Sequence, residues 1–393
     1  MKYGNMKIRN RYLNIAIHNA QISHYTGGTE RLIGEQLKNL LDYPNLSITL
    51  VTTKTILPSD IYKEILKTKK RNFRIKELGN LDEIIKSNKY DANNPTKWHF
   101  ESIEFGKMCS NFYQKNKFDL IITHFSTDSL FVPLGSKNIL HLHGYPLNAS
   151  ELGEISLQRP NHFIAVSEFV KSKWIELYPK LNKENISVVY PGIDVSKFVG
   201  IEKNRPIDII FVGRLIKIKG LNYLIKSIKQ VKEVKRVIIV GKGPERKSLV
   251  AQIKSAGLTK IIKIRSGVND RELVNLCNKS KLAVFPSYSK EGVILAMLEC
   301  AAAGCAIITT KRSSMEEFIE NNQNGLLCRP KDVNDLSSKI KNLIKNQVLR
   351  KKLSQNAKDS VIKDWDSKKR VGELYKEYLN ILEDRANVYK ASR

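Results

Sequence analysis

Short apolar runs bounded by turn residues alternate with segments of helical periodicity along most of the chain. In the first half, the runs predict strands at 13–18, 47–52, 118–123, 138–143, 162–166 and 186–190, and the periodic segments predict helices at 30–41 and 168–178. Continuous apolar runs of this length are typical of strands that are buried on both faces of a parallel sheet.

The same alternation restarts in the second half. It predicts strands at 207–212, 236–240, 261–264, 282–285 and 306–309, helices at 221–231, from 245, at 271–278 and at 292–303, and a helical segment after Pro330. Strand–helix alternation in both halves predicts an α/β protein of two doubly wound domains. The polar segment 199–206 places their boundary at 199/200.

Composition narrows the class of protein. The chain has 393 residues, of which 41% are hydrophobic and 27% charged, as in globular proteins of two or three domains. Its basic N-terminus is followed by no signal-like apolar stretch, and no run of about 18 apolar residues occurs. The five cysteines form no CxxC pair, which favours free thiols over disulfides or zinc. We therefore expect a cytoplasmic protein.

The formal net charge of +28 predicts attraction to phosphate. The phosphate could belong to nucleic acid, to nucleotides or to an anionic membrane, and much of the excess could equally be solvated surface lysine. The segment 67–76, KTKKRNFRIK, mixes cations with Phe73. It predicts peripheral contact with the cytoplasmic membrane face; the alternative is a solvated surface strand.

Ligands of doubly wound sheets bind beside the carboxyl ends of strands, so the loops that follow strands carry the candidate residues. In the N-terminal half, HYTGGTER contains Gly27 and Gly28 at a predicted helix start, where backbone N–H groups favour anions. The alternative is an ordinary turn capped by Thr29. His124 and His143 each follow a predicted strand, and we expect at least one to be functional.

In the C-terminal half, FVGRLIKIKG places Arg214 and Lys219 just after a strand. A guanidinium and an ammonium beside a helix start suit a diphosphate, although the alternative is general surface basicity. No G-x-G-x-x-G dinucleotide motif accompanies them, and VGKGPER has only two glycines.

The stretch KEGVILAMLECAAAGCAIIT contains two glutamates, Glu291 and Glu299. On a helix over 292–303 they would lie about 80° apart around the axis and could reach one ligand. Carboxylates accept hydrogen bonds from sugar hydroxyls. The unpaired N–H groups of the first helical turn would be those of Gly292, Val293 and Ile294. A favourable helix dipole explains Glu291 alone but not Glu299.

Two other kinds of site are excluded on sequence grounds. Asp364 and Asp366 resemble a metal-binding pair but precede a C-terminal helix, where Asp366 is better explained as an N-cap. A serine hydrolase would need G-x-S-x-G after a strand, and the sequence has none. We therefore predict no metal site and no cofactor.

Several strings resemble one family in the right order over nearly the whole chain. They are GGTER, VSEFVKSKW, YPGIDVSKF, GRLIKIKG, VGKGPER and EGVILAMLECAAAGCAII. They resemble the retaining nucleotide-sugar glycosyltransferases of family 4, whose GT-B fold has two Rossmann-like domains facing across a cleft. The chain departs from the family where E-G-F-G is replaced by E-G-V-I, which affects the expected approach of the donor sugar.

The resemblance implies a division of labour between the domains. The C-terminal domain, 200–365, would bind the nucleoside-diphosphate sugar, and the N-terminal domain, 1–199, would bind the acceptor. The helix 366–393 would cross back to the N-terminal domain. The acceptor would be a glycan, a lipid-linked sugar or a small molecule in cell-envelope or glycan assembly.

The resemblance also implies roles for single residues. Glu299 would bind the ribose, while Glu291 and the amides of 292–294 would hold sugar and phosphate. Arg214 and Lys219 would neutralise the departing diphosphate without a metal, and the phosphate oxygen would take the acceptor proton. His124 or, as second choice, His143 would contact the donor sugar. The loop at Gly27 and Gly28 would contact the diphosphate, and the loop at Gly267 and Val268 would lie near the nucleobase.

Other functions stay open at this point. Another GT-B enzyme, such as an epimerase, would use a similar site, whereas a phosphorylase would need a cofactor lysine that the sequence does not reveal. A nucleic-acid binder is suggested only by charge, because no interleaving of aromatic and basic residues occurs.

Overall fold

The computed structural model describes residues 12–83, 95–146, 151–198, 204–312 and 314–391. The chain forms two compact units. The N-terminal unit comprises residues 1–191 and 370–393, and the C-terminal unit comprises 192–369. The boundaries predicted from the sequence, 199/200 and 365/366, lie a few residues from the divisions between these units. Part of the predicted linker, 199–203, falls outside the described residues.

Within the described residues, the N-terminal unit contains a sheet of seven parallel strands in the order β3-β2-β1-β4-β5-β6-β7. The strands are β1 (Leu13–His18), β2 (Leu46–Lys54), β3 (Phe73–Asn80), β4 (Leu120–Thr123), β5 (Asn138–Leu142), β6 (His162–Ala165) and β7 (Ile186–Val188). The helices between them are α1 (Gly28–Leu40), α2 (Asp60–Leu66), α3 (Pro95–Lys115), α4 (Glu151–Leu157) and α5 (Glu168–Leu177).

The described part of the C-terminal unit contains a second parallel sheet, of six strands in the order β10-β9-β8-β11-β12-β13. The strands are β8 (Ile207–Val212), β9 (Val237–Val240), β10 (Ile262–Arg265), β11 (Ser280–Phe285), β12 (Ala306–Thr310) and β13 (Leu326–Cys328). The helices are α6 (Leu221–Gln230), α7 (Arg246–Ser255), α8 (Asp270–Asn278), α9 (Leu295–Ala302), α10 (Met315–Phe318), α11 (Val333–Lys345) and α12 (Gln347–Asp364).

The last helix, α13 (Ser367–Ala391), completes the core of the N-terminal unit. Its buried residues Leu374 and Tyr378 join the apolar cluster formed by one face of the sheet and by α1. Asp366 caps the helix, since its carboxylate accepts a hydrogen bond from the Lys368 N–H at 3.0 Å. The predicted N-cap role of Asp366 is therefore confirmed.

The predicted α/β class with two doubly wound domains is confirmed by the two parallel sheets. Six of these helices and strands were not predicted: α2, α3, α4, α10, β3 and β13. Strand β3 lies at a sheet edge and alternates exposed and half-buried residues, so it lacks a continuous apolar run. Its Phe73 packs against the core of the unit.

Two further expectations concern membranes and thiols. No helix among the described residues is long and apolar enough to cross a membrane. The five cysteines are buried free thiols, as the sequence indicates.

The packing of α13 generates a stability prediction. Replacing Leu374, which is 1% exposed, by Ala should lower the free energy of unfolding of the N-terminal unit by about 2–5 kcal/mol because a cavity remains. The matched change at Leu134, which is 85% exposed, should cost less than about 0.5 kcal/mol. Urea unfolding followed by circular dichroism measures both; equal costs would contradict the packing of α13.

Candidate active site

The strand order of the C-terminal unit creates a crevice at the carboxyl ends of β8 and β11. These adjacent strands lie where the chain connections diverge, with β9 on one side and β12 on the other. In doubly wound sheets this position is where ligands bind. The loops that leave β8 and β11 carry most of the residues predicted for the donor.

Two glycines allow these loops to pack closely. Gly220 has φ +70°, and a Cβ there would lie 2.0 Å from the carbonyl oxygen of Pro286 in the loop after β11. A Cβ on Gly241, after β9, would lie 1.9 Å from the carbonyl oxygen of Gly213, after β8. Only glycine fits at these two contacts, so Gly220 and Gly241 allow the three loops to pack this closely.

An ion pair joins the two central loops. The ammonium of Lys219, after β8, lies 2.5 Å from Oε1 of Glu291, after β11, and each side chain is only 14% exposed. The Ser287 hydroxyl contacts the other carboxylate oxygen of Glu291 and also lies 2.9 Å from the carbonyl of Ile218. Because the hydroxyl has one proton, it can donate to only one of these acceptors at a time.

The predicted geometry of the two glutamates is wrong in one respect. Helix α9 begins at Leu295 with Ile294 as its N-cap, so Glu291 lies in a loop and not in the helix. Gly292 costs about 1 kcal/mol in a helix, and β-branched residues such as Val293 and Ile294 lose rotamer freedom there. Gly292, Val293 and Ile294 therefore precede the first helical turn, and the angle of about 80° does not apply.

Glu299 occupies the second turn of α9, as the sequence predicts. It is 7% exposed, and its helical neighbours Leu298 and Cys300 are fully buried. A carboxylate is costly to bury unless it has hydrogen-bonding or charged partners. It lies on the helix that follows β11, and its contact with the ribose stays a prediction.

The remaining donor candidates lie in neighbouring loops of the same unit. Arg214 is exposed in the loop after β8, five residues before Lys219. Gly267, with φ +74°, and the half-buried Val268 follow β10, the strand at the sheet edge.

The glycines of the N-terminal unit begin α1. Gly27 is the N-cap, and its N–H donates to the Glu30 carboxylate at 2.9 Å, so the alternative of a Thr29 cap is wrong. A Cβ on Gly28 would meet no atom within 4 Å. The backbone at Gly28 is therefore open to close approach.

The two predicted histidines meet in the N-terminal unit. His124, after β4, and His143, after β5, are joined by a hydrogen bond of 2.8 Å between Nδ1 and Nε2. Burial lowers the pKa of His124 far below its ordinary value and that of His143 to about 4. Both rings are therefore neutral near pH 7, and His143 is the more exposed of the two.

Sequence reasoning missed two residues of these sites. Ser287 contacts Glu291, and His141 lies beside His124 with ring centroids 5.1 Å apart. His141 could have been found, because residues two apart on a strand share a face and His143 follows it by two. Ser287 has only its place at a strand end as a signal.

Comparison with known proteins decides the family. Residues 193–360 match the model described as glycosyl transferases group 1. Residues 92–197 match the model described as glycosyltransferase family 4. The chain belongs to the group 1, family 4 glycosyltransferases. The resemblance read from its motifs is confirmed, and the protein is a glycosyltransferase.

Individual relatives of this glycosyltransferase are distant. An uncharacterised glycosyltransferase, MJ1069 of Methanocaldococcus jannaschii, is 26% identical over 73% of this chain and 80% of its own length. N,N'-diacetylbacillosaminyl-diphospho-undecaprenol alpha-1,3-N-acetylgalactosaminyltransferase of Campylobacter jejuni is 29% identical over 53% of this chain. The chain spans 57% of the length of that enzyme.

The fold of the glycosyltransferase is shared with solved structures. Anabaena Alr3699/HepE, solved in complex with UDP and glucose, superposes with a TM-score of 0.73 at 16% identity, over 93% of this chain and 99% of the other. The likeness shows the GT-B fold of two Rossmann-like domains, which confirms the predicted fold class.

The close loop packing generates a prediction with a built-in control. Gly220→Ala introduces a clash with Pro286 and also a left-handed backbone conformation at an alanine. Gly257, with φ +74°, has no atom within 4 Å of a Cβ placed there, so Gly257→Ala introduces only the left-handed conformation. Gly257→Ala should cost about 1–2 kcal/mol of stability. Gly220→Ala should cost roughly 1–3 kcal/mol more. Equal unfolding midpoints in denaturant would contradict the contact.

Proposed function

We propose that this glycosyltransferase moves a hexosyl group from a nucleoside-diphosphate sugar to an acceptor hydroxyl with retention of configuration. The bond between the anomeric carbon and the diphosphate breaks, and a bond from that carbon to the acceptor oxygen forms. The acceptor proton passes to the departing phosphate oxygen. We place the reaction in the assembly of cell-envelope polysaccharide, glycolipid or another glycan.

One observation carries the proposal: the pairing of Lys219 with Glu291 at the carboxyl ends of β8 and β11. It places a cation suited to a diphosphate beside a carboxylate suited to sugar hydroxyls. A nucleoside-diphosphate sugar has both groups next to each other. Glu299, on the helix that follows, supplies a second carboxylate for the ribose hydroxyls.

In this proposal, the cations of the loop after β8 stabilise the leaving diphosphate without a metal. As the bond to the sugar breaks, negative charge develops on the diphosphate, and fixed cations lower the barrier by stabilising it. Lys219 and the exposed Arg214 are the proposed cations. Glu291 already holds Lys219 in place, and Ser287 contacts Glu291. Little reorganisation is therefore needed when the donor binds.

Relatives support the substrate class. The Campylobacter jejuni relative is named for transferring N-acetylgalactosamine to a sugar carried on diphospho-undecaprenol. The Anabaena structure contains UDP and glucose. A uridine-diphosphate sugar and a lipid-linked or glycan acceptor are therefore the first substrates to test.

The donor assignment predicts separate effects of the two glutamates. Glu299→Gln should weaken binding of the nucleoside diphosphate roughly 10- to 100-fold, because one charge-assisted hydrogen bond contributes about 1.5–3 kcal/mol. Glu291→Gln should mainly lower kcat for donor cleavage. Isothermal titration with UDP and release of UDP from UDP-sugars measure the two effects.

Glu316→Gln is the matched control, since Glu316 is exposed on α10 and should leave both quantities unchanged. Wild-type binding and turnover in the Glu291 and Glu299 variants would overturn the donor site. Failure of every UDP-, GDP- and ADP-sugar to bind wild-type protein would overturn the substrate class itself.

We also propose that the N-terminal unit binds an anionic membrane surface. Lys67, Lys69 and Arg71 are exposed between α2 and β3. Leu66, 51% exposed, ends α2, and Ile56, 75% exposed, precedes it. Phe73, the aromatic residue first considered for this contact, packs against the core and takes no part.

The membrane proposal predicts a charge-dependent effect. Reversing Lys67, Lys69 and Arg71 to Glu should weaken binding to phosphatidylserine vesicles at low salt at least 100-fold, since each cation contributes about 1 kcal/mol. Reversing Lys254, Lys260 and Lys263, exposed in the C-terminal unit, changes the net charge equally and should have little effect. Equal losses in vesicle sedimentation would reduce the proposal to a net-charge effect and contradict it.

A further inference from the structure

Strand pairing in the N-terminal unit gathers a histidine cluster made of His124, His141 and His143. Strands β4 and β5 are parallel with Thr123 paired to Leu140, so His124 comes next to His141. His143 lies two residues after His141 and therefore on the same side of the sheet. The cluster lies at the carboxyl ends of two neighbouring strands, where ligands of doubly wound sheets bind.

Two rings of the cluster share a single hydrogen bond. The rings of His124 and His143 lie nearly parallel, with centroids 5.0 Å apart and 23° between their planes. Nδ1 of His124 lies 2.8 Å from Nε2 of His143. Because both rings are neutral, each carries one proton, and one nitrogen of this pair donates while the other accepts. The direction of the bond therefore fixes which nitrogen of His143 carries the proton.

Burial of His124 decides that direction. His124 is 5% exposed, and its second nitrogen, Nε2, has no hydrogen-bond partner among the described residues. Buried N–H groups that lack an acceptor are rarer in proteins than buried acceptors that lack a donor. The proton of His124 therefore lies on Nδ1, and this N–H donates to Nε2 of His143. The proton of His143 must then lie on its own Nδ1.

Exposure separates the roles of the two rings. His143 is only partly buried, so it is the ring that a substrate can reach, whereas His124 lies behind it. With its Nε2 occupied by His124, the ring of His143 keeps one N–H, at Nδ1, for a ligand oxygen. The resemblance named His124 as first choice for the donor sugar and His143 as second choice. The structure favours the reverse order.

We propose that His143 donates a hydrogen bond from Nδ1 to a hydroxyl oxygen of the donor sugar, and that His124 is a positioning residue that fixes this tautomer. The inference rests on the proposed function, because it needs a sugar as the ligand. In this arrangement His124 touches no substrate and acts only through His143.

The surroundings of the cluster keep its rings in one charge state. A protonated His143 would carry an N–H on both nitrogens and would face the N–H of His124, so the bond requires a neutral ring. Burial lowers the pKa of His143 to about 4, and burial together with the neighbouring histidines lowers the pKa of His124. The Tyr378 hydroxyl, on α13, lies 3.1 Å from Nε2 of His141 and holds that ring beside the other two.

The first experiment determines the tautomers directly. The chain has seven histidines, so NMR spectra that correlate ring nitrogens with ring C–H protons can resolve each ring in isotope-labelled protein. We expect the proton on Nδ1 in both His124 and His143 near neutral pH. A proton on Nε2 of His143 in the wild-type protein would overturn the inference without any variant.

Variants then separate positioning from contact. His124→Phe and His143→Phe should each lower kcat/KM for UDP release from UDP-glucose or UDP-N-acetylglucosamine roughly 10-fold, since one hydrogen bond to the sugar is lost. The double variant should be no slower than His143→Phe, because His124 acts only through His143. His124→Asn keeps an N–H donor near the position of Nδ1, so it should retain most of the activity.

A control and a binding measurement complete the test. His162→Phe should leave turnover unchanged, since His162 lies at the start of β6 and contacts Ser187. UDP affinity should stay at the wild-type value in every variant, because the proposed contact is with the sugar. Wild-type turnover in His143→Phe, or additive losses in the double variant, would contradict the inference. Failure of wild-type protein to cleave any sugar donor would instead overturn the proposed function, and the spectra would still decide the tautomers.

Discussion

The ion pair between Lys219 and Glu291 is the interaction on which the account of the C-terminal unit depends. Both charges are largely withdrawn from water, and a buried charge that loses its partner costs about 3–5 kcal/mol. The two residues come from different loops, so their pairing requires those loops to keep a fixed separation. Gly220 and Gly241 make that separation possible, because neither contact leaves room for a Cβ.

In each of the two sheets, the polar residues of the candidate sites lie at the carboxyl ends of the strands. The inner strands are largely apolar and buried, so most polar side chains of the candidate sites lie where the strands finish and loops begin. In the C-terminal unit this gives Lys219, Ser287 and Glu291, and in the N-terminal unit it gives the histidine cluster. Parallel pairing brings together side chains that are far apart in sequence, as it does for His124 and His141.

Sequence periodicity was enough to predict the strands that lie inside the sheets, because residues such as those of β1 and β8 form continuous apolar runs. It failed for β3, whose alternating pattern reflects its edge position, and for the start of α9, where Gly292, Val293 and Ile294 disfavour a helix that the apolar pattern allows. The contact of Ser287 with Glu291 and that of Tyr378 with His141 depend on tertiary packing, and the sequence indicates only that Ser287 follows a strand.

The most direct test of the central claim is a crystal structure of the protein with an intact nucleoside-diphosphate sugar. We expect the diphosphate beside Lys219, the sugar hydroxyls within hydrogen-bonding distance of Glu291 and the ribose at Glu299. Donor density at another part of the chain, with the pair of Lys219 and Glu291 unchanged and without contact to it, would contradict the account.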